Sequence, residues 1–204
     1  MAGGRPRAFD EDAALDRALE VFWRQGYEGT ALSDLTAAMG INRPSLYGAF
    51  GNKEALFRRV LDRYVDGPGG YSAAALAEPR ARDVVARILG GAVELTTDSG
   101  HPGCLSVRNA QACGPECEQV RRAVVDRRNA GLAALRARLE RARDEGDLPP
   151  GADPAALARY VFTVSDGIAS QAASDATADE LRKVVDLVLA AWPGQGNPHA
   201  DPGC

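Results

Sequence analysis

Aromatic residues are scarce in this chain of 204 residues, 6% in all, so its core must come mainly from Leu, Val and Ala. No uninterrupted apolar run approaches the ~18 residues that a transmembrane helix requires, which excludes a membrane-spanning segment of that kind. A basic stretch followed by an apolar one is missing from the N-terminal residues, so no secretory signal is expected and the chain is placed in the cytoplasm. In that reducing compartment its four cysteines are expected to be free thiols rather than disulfides. Alternating apolar and polar runs are absent, which excludes a half-buried sheet, and no internal repeat is present. Hydrolase and phosphate-loop signatures are missing too: there is no G-x-S-x-G, no Walker loop and no H-E-x-x-H. Neither an enzyme nor a bound cofactor is expected.

The formal net charge of -4 does not suggest a polyanion partner, but the charge is unevenly spread. Residues 1–60 carry eight basic against eight acidic side chains, while 144–204 hold ten acids against three bases. Within the first sixty, the stretch 35–53 contains Arg43 and Lys53 and no acid, and Arg5 and Arg7 precede every acid. A locally basic face on an acidic protein suits specific phosphate contacts better than indiscriminate binding.

What remains is helical periodicity, in about nine segments. Asp10 caps a helix carrying Leu15, Ala18, Leu19 and Phe22, with Gly26 as its stop. Thr30 precedes a short run from Leu32 to Met39, closed by Gly40. Asn42 caps a second short helix with Pro44 in its first turn, where no intrahelical donor is lost. Asn52 caps a helix through Leu56, Val60 and Tyr64. The run Gly67-Pro68-Gly69-Gly70 then breaks the chain, followed by an Ala-rich linker. Further helices are expected around Val84–Val93, Cys104–Cys113 and Glu116–Glu145, then after the caps Asp153 and Thr177. Residues 193–204 read as a loose tail.

Two short helices joined through Met39-Gly40-Ile41-Asn42 have helix-turn-helix spacing, which suits the second helix to a DNA major groove. The surrounding residues sharpen this reading. Gly26-Tyr27-Glu28-Gly29-Thr30, Leu35 to Ile41, Ser45-Leu46-Tyr47-Gly48-Ala49-Phe50 and Lys53-Glu54-Ala55-Leu56 together closely resemble the N-terminal domain of the TetR family of transcriptional repressors. The resemblance implies an all-α protein with residues 1–9 as a basic arm and 10–52 as a three-helix DNA-binding head. Residues 53–192 would bind an effector and dimerise, with 53–66 as a connecting helix. It also implies a homodimer on a palindromic double-stranded operator, released by a small apolar or amphipathic effector.

Residue roles follow from chemistry. Asn42, Ser45 and Tyr47, with Thr30 and Pro44 beside them, stand at helix starts where polar groups and free amides meet phosphates. Arg43 is the candidate for a guanine edge. Lys53 is a cation in a first turn, where the helix dipole disfavours it, so an anionic partner is expected; the matching lysine in the family contacts phosphate. Arg5 and Arg7 resemble a minor-groove arm, although N-terminal arginines are often only solvated. Tyr47 has the competing reading of a core residue. Val85, Leu89, Cys104, Val107, Leu135 and Phe162 are candidates for the effector pocket. Val161, Val164, Ile168, Val185, Val188 and Leu189, with small Gly167, Ala169 and Ala172 between them, are candidates for the dimer interface.

His101, Cys104, Cys113 and Cys117 lack the paired C-x2-C spacing of structural zinc, so no metal is expected. Cys104 at a helix start with Arg108 one turn on has the setting of a reactive thiol, and redox sensing is the alternative to simple burial. The eight arginines of residues 119–143, against two acids, read as the solvated side of a long helix whose stripe is Leu132, Leu135 and Leu139. A helical interaction protein without DNA binding is the remaining alternative, and it would not need the constellation at 42–53.

Overall fold

A computed structural model describes residues 9–98, 103–111 and 117–194. Among them are ten α-helices, one 3-10 turn and no strand. The helices are α1 (Glu11–Gly29), α2 (Leu32–Met39), α3 (Arg43–Phe50), α4 (Lys53–Asp66), α5 (Tyr71–Ala75), α6 (Ala81–Asp98), α7 (Leu105–Gln111), α8 (Glu118–Asp144), α9 (Pro154–Ala172) and α10 (Ala178–Ala190).

Starts are set by side chains that take up orphan amides. Asp10 Oδ1 accepts from Asp12 N and Ala13 N, Asn42 Oδ1 from Ser45 N, and Asn52 Oδ1 from Ala55 N. Asp153 caps α9 in the same way. Thr177 and Glu180 form a reciprocal capping box on α10. Gly40 closes α2 at φ 68°, and Ile41 N reaches back to Thr36 O at 3.1 Å. That left-handed residue turns the chain between α2 and α3.

Two expectations need correction. Helix α1 does not stop at Gly26; it kinks there, at φ 72° and ψ 171°, and runs one more turn to Gly29. The segment after the glycine run is not a plain linker, because Pro68–Gly70 forms a 3-10 turn and Tyr71–Ala75 a tenth helix. Tertiary packing orders it. The Tyr71 ring lies so close to the backbone of α6 that a Cβ on Gly91 would stand 2.4 Å from its Cδ2.

Buried side chains form two cores. The first joins α1–α4 around Phe22, Leu35, Met39, Leu46 and Phe57, and extends to Leu105, Val120 and Val124 of α7 and α8. The second lies among α5, α6, α8, α9 and α10, with Val85, Leu89, Leu135, Leu139, Val161 and Ile168. Helix α4 ties α1 to α8: Arg63 makes a two-pronged pair with Asp16 of α1, and Asp62 pairs with Arg127 of α8. No described helix is long and apolar enough to cross a membrane.

Candidate nucleic-acid interface and effector domain

The α3 helix presents its polar side outward. Leu46 and Phe50 are buried at 1% and 4% exposure, while Asn42, Arg43, Pro44 and Gly48 are exposed and Tyr47 is 49% exposed. With its ring half in solvent, Tyr47 is not a core residue and its phenol is free to meet a partner. Asn42 Oδ1 is already taken by Ser45 N at 2.8 Å, so this residue offers only its amide NH2 outward. Pro44 has no amide hydrogen, which leaves fewer free donors at this helix start than an uncapped terminus would have.

Lys53 is partly buried, with Nζ 4.4 Å above the centre of the Tyr27 ring. The negative face of that ring attracts the ammonium by a cation–π contact. Tyr27 in turn packs edge-on against Phe57 at 5.2 Å, which links the start of α4 to the end of α1. Thr30 needs correction: it is 2% exposed, and its hydroxyl donates to Gly26 O at 2.6 Å. It braces the last turn of α1 from inside rather than facing outward. Arg5 and Arg7 lie outside the described residues.

Helix α7 is clipped to the kinked end of α1. Arg108 Nη1 donates to Trp23 O at 3.2 Å and to Arg24 O, carbonyls that the kink would otherwise orphan. Asn109 Oδ1 accepts from Tyr27 N at 2.8 Å, while its Nδ2 donates to Leu105 O. Trp23 Nε1 donates to Gly103 O at 3.1 Å. Asn109 is 1% exposed, so its amide is a fully committed buried group. Sequence reasoning passes over this joint, and only the glycine at 26 hints at it.

The six candidate pocket residues do not gather in one core. Val85, Leu89, Leu135 and Phe162 belong to the second core, while Cys104 packs against the first. Val107 is 9% exposed and belongs to neither cluster. Cys104 Sγ is 3.1 Å from Tyr64 Oη. Burial, then the neighbouring Cys104, pushes the Tyr64 phenol well above its usual range; burial chiefly does the same to Tyr71. The Arg108 guanidinium donates to the α1 carbonyls, and the Cys104 thiol contacts the Tyr64 hydroxyl. Cys117 is buried, with Sγ 3.4 Å from Glu28 Oε1. His101 and Cys113 lie outside the described residues, and within them no cluster of His, Cys, Asp and Glu could hold a metal ion.

The candidate dimer residues also need correction. Val161, Ile168, Val185 and Val188, with Ala172, are 0–7% exposed within one subunit and form its own core, and Ala169 is buried at 3%. Val164 and Leu189 are half-buried against the same core. The opposite face of these helices carries the exposed apolar surface: Tyr160 at 44% on α9, Val184 at 42% and Leu187 at 71% on α10. Gly167, in open space on α9, lies on that face. The periodicity identifies the stripe that faces the subunit's own core, and the three exposed apolar side chains stand among polar ones.

Most of the arginines on α8 are solvated and neutralised. Arg121 and Arg122 share Glu118, and Arg136 pairs with Glu140. Arg128 pairs with Asp166 of α9. Arg138 is the exception, at 5% exposure.

Comparison with known proteins places this arrangement. Residues 14–60 match the family model described as bacterial regulatory proteins, tetR family, and residues 77–188 match that of the tetracyclin repressor-like C-terminal domain. The chain is 33% identical over 193 residues to the HTH-type transcriptional repressor ComR of Escherichia coli strain K12, covering 93% of this chain and 92% of that one. It superposes with a TM-score of 0.87 and 43% identity on a cysteine mutant of the TetR family regulator CifR, solved with 26-base-pair operator DNA, over 93% of this chain and all (100%) of that one. A TetR regulator from Rhodococcus sp. RHA1 is 40% identical with a TM-score of 0.58, over 90% of this chain and 100% of that one.

Proposed function

The chain belongs to the TetR family of bacterial transcriptional regulators, and from that premise we propose that it is a homodimeric repressor that an effector releases from a palindromic operator. The observation that carries the DNA-binding part is the outward face of α3, where Arg43 and Tyr47 stand clear of a buried Leu46 and Phe50. That helix enters a major groove, with Arg43 at a base edge and Asn42, Ser45 and Tyr47 at phosphates. Arg5 and Arg7 are the minor-groove arm in this reading. Two-fold symmetry sets the half-sites about one helical turn apart.

The second subunit covers Tyr160, Val184 and Leu187, making a four-helix contact of α9 and α10 with their copies. A small apolar or amphipathic effector sits in the interior lined by Val85, Leu89, Leu135 and Phe162. Helix α7 carries the signal, because its Arg108 and Asn109 hold the end of α1. A displaced α7 tilts the head and lowers operator affinity by a coupling of typically ~1–3 kcal/mol.

A gel shift with the DNA upstream of its own gene tests the reading. Retardation that disappears as salt is raised supports it. Absence of a shift on every genomic fragment, with a folded dimer in hand, refutes it.

A further inference from the structure

Arg138 occupies a core position of α8. It stands one residue from Leu139, three from Leu135 and four from Ala142, all of them buried on the stripe that faces the second core. Its Nη2 donates to Glu78 O at 2.8 Å and to Pro79 O at 2.9 Å. Its Nε and Nη1 are buried and have no acceptor among the described residues. Nor does any described carboxylate form an ion pair with it: Glu78, which lends its carbonyl, gives its carboxylate to Arg87 instead. The indole Nε1 of Trp192, in the same core, also lacks an acceptor. An arginine cannot shed its charge, so burying it without a counter-ion is expensive. Two buried nitrogens of Arg138 and one of Trp192 thus lack an acceptor among the described residues, and the guanidinium carries a full positive charge.

We propose that Arg138 is the anion-binding group of the effector site, and that the effector is a monocarboxylate with an apolar tail. The inference rests on the reading of this domain as effector-binding. A single guanidinium matches a single negative charge, and charge-assisted hydrogen bonds to it are roughly twice as strong as neutral ones. The aliphatic side chains of Val85, Leu89, Leu135 and Leu139 in the same core suit an alkyl chain rather than a polyanion. The carbonyls of Glu78 and Pro79 fix the guanidinium, so little entropy is lost when the carboxylate arrives.

Calorimetric titration of the full chain with decanoate and with decanol separates the charge from the tail. Decanoate is expected to bind the wild type about tenfold or more tightly than decanol, the worth of a hydrogen bond to a charged group. Arg138→Gln should bind the acid no better than the alcohol, and Arg138→Lys should keep part of the preference. Equal binding of the two ligands by the wild type, or no binding of decanoate, overturns the proposal. So does a preference that survives in Arg138→Gln, which would leave Arg138 as a staple for the turn at 78–79. Should Arg138→Gln not fold by circular dichroism, the wild-type comparison and Arg138→Lys decide. An operator gel shift that succeeds while the acid preference fails refutes this site and leaves the DNA-binding reading standing.

Discussion

Leu187→Glu is the sharpest probe of the subunit contact. Leu187 is 71% exposed in the single subunit, so the substitution spares the fold, as surface changes do to within about 0.5 kcal/mol. Ile168→Glu would not discriminate, since Ile168 is 2% exposed and a buried charge there wrecks the subunit itself. Complete burial of a leucine is worth about 1.5–3 kcal/mol. Covering the exposed 71% therefore contributes about 1–2 kcal/mol per copy, and about 2–4 kcal/mol per dimer because symmetry uses the site twice. Losing that much raises the dimer dissociation constant about 30- to 1,000-fold. The introduced carboxylate also has to be desolvated wherever the contact covers it, which pushes the constant further in the same direction. Sedimentation equilibrium across a concentration series reads the constant directly, and unchanged circular dichroism confirms an intact subunit. A variant with a wild-type dissociation constant would place the contact on another face and refute the argument.

Tyr47→Ala should leave thermal stability unchanged and weaken operator binding about ten- to a hundredfold, measured by fluorescence anisotropy on the upstream fragment; wild-type affinity would return Tyr47 to an idle surface residue. Gly26→Ala meets ordinary contacts at 3.8 Å but forces alanine into a backbone region open essentially to glycine alone, so urea unfolding should show a loss of about 1–3 kcal/mol. A variant as stable as the wild type would mean that the kink relaxes freely. Glu118 is held down to about 2 from its ordinary 4.5 by hydrogen bonds from Arg121 and Arg122. Its folded-state pKa is depressed, so its contribution is complete above about 4.5 and is lost as pH falls towards 2. The stability difference between wild type and Glu118→Gln should shrink over that window, and a difference independent of pH would contradict the pairing.

Features that depend on residues within four positions of one another are legible in the amino-acid order alone. Asn42, Asn52, Asp153 and Thr177 cap helices because a short polar side chain reaches its own next amides, and Gly40 turns the chain because its φ is positive. The head is recognisable for the same reason, since its motif is contiguous. Distant partners set what escapes such a reading. Tyr71–Ala75 is helical because Tyr71 lies on Gly91, twenty residues on. Thr30 turns inward to Gly26 O because the kink leaves that carbonyl open. On α9 and α10 the stripe of Val161 and Ile168 marks the subunit's own core, while Tyr160 and Leu187 stand among exposed polar residues, so periodicity does not say which face meets a partner. Arg138 sits in plain view on the Leu135–Leu139 stripe, yet a count of charges alone groups it with its solvated neighbours.

The head borrows part of its interior from further down the chain. Leu105, Cys117, Val120 and Val124 pack into the same core as Phe22 and Phe57, so the first sixty residues do not enclose themselves. The seam that invites a cut, the glycine run after α4, is therefore the wrong place to divide the protein. A reading head grafted elsewhere as residues 1–66 would expose that interior and tend to aggregate. If α3 reads the operator as proposed, its preference is to be changed by exchanging the outward residues of that helix in place and leaving its inner face alone.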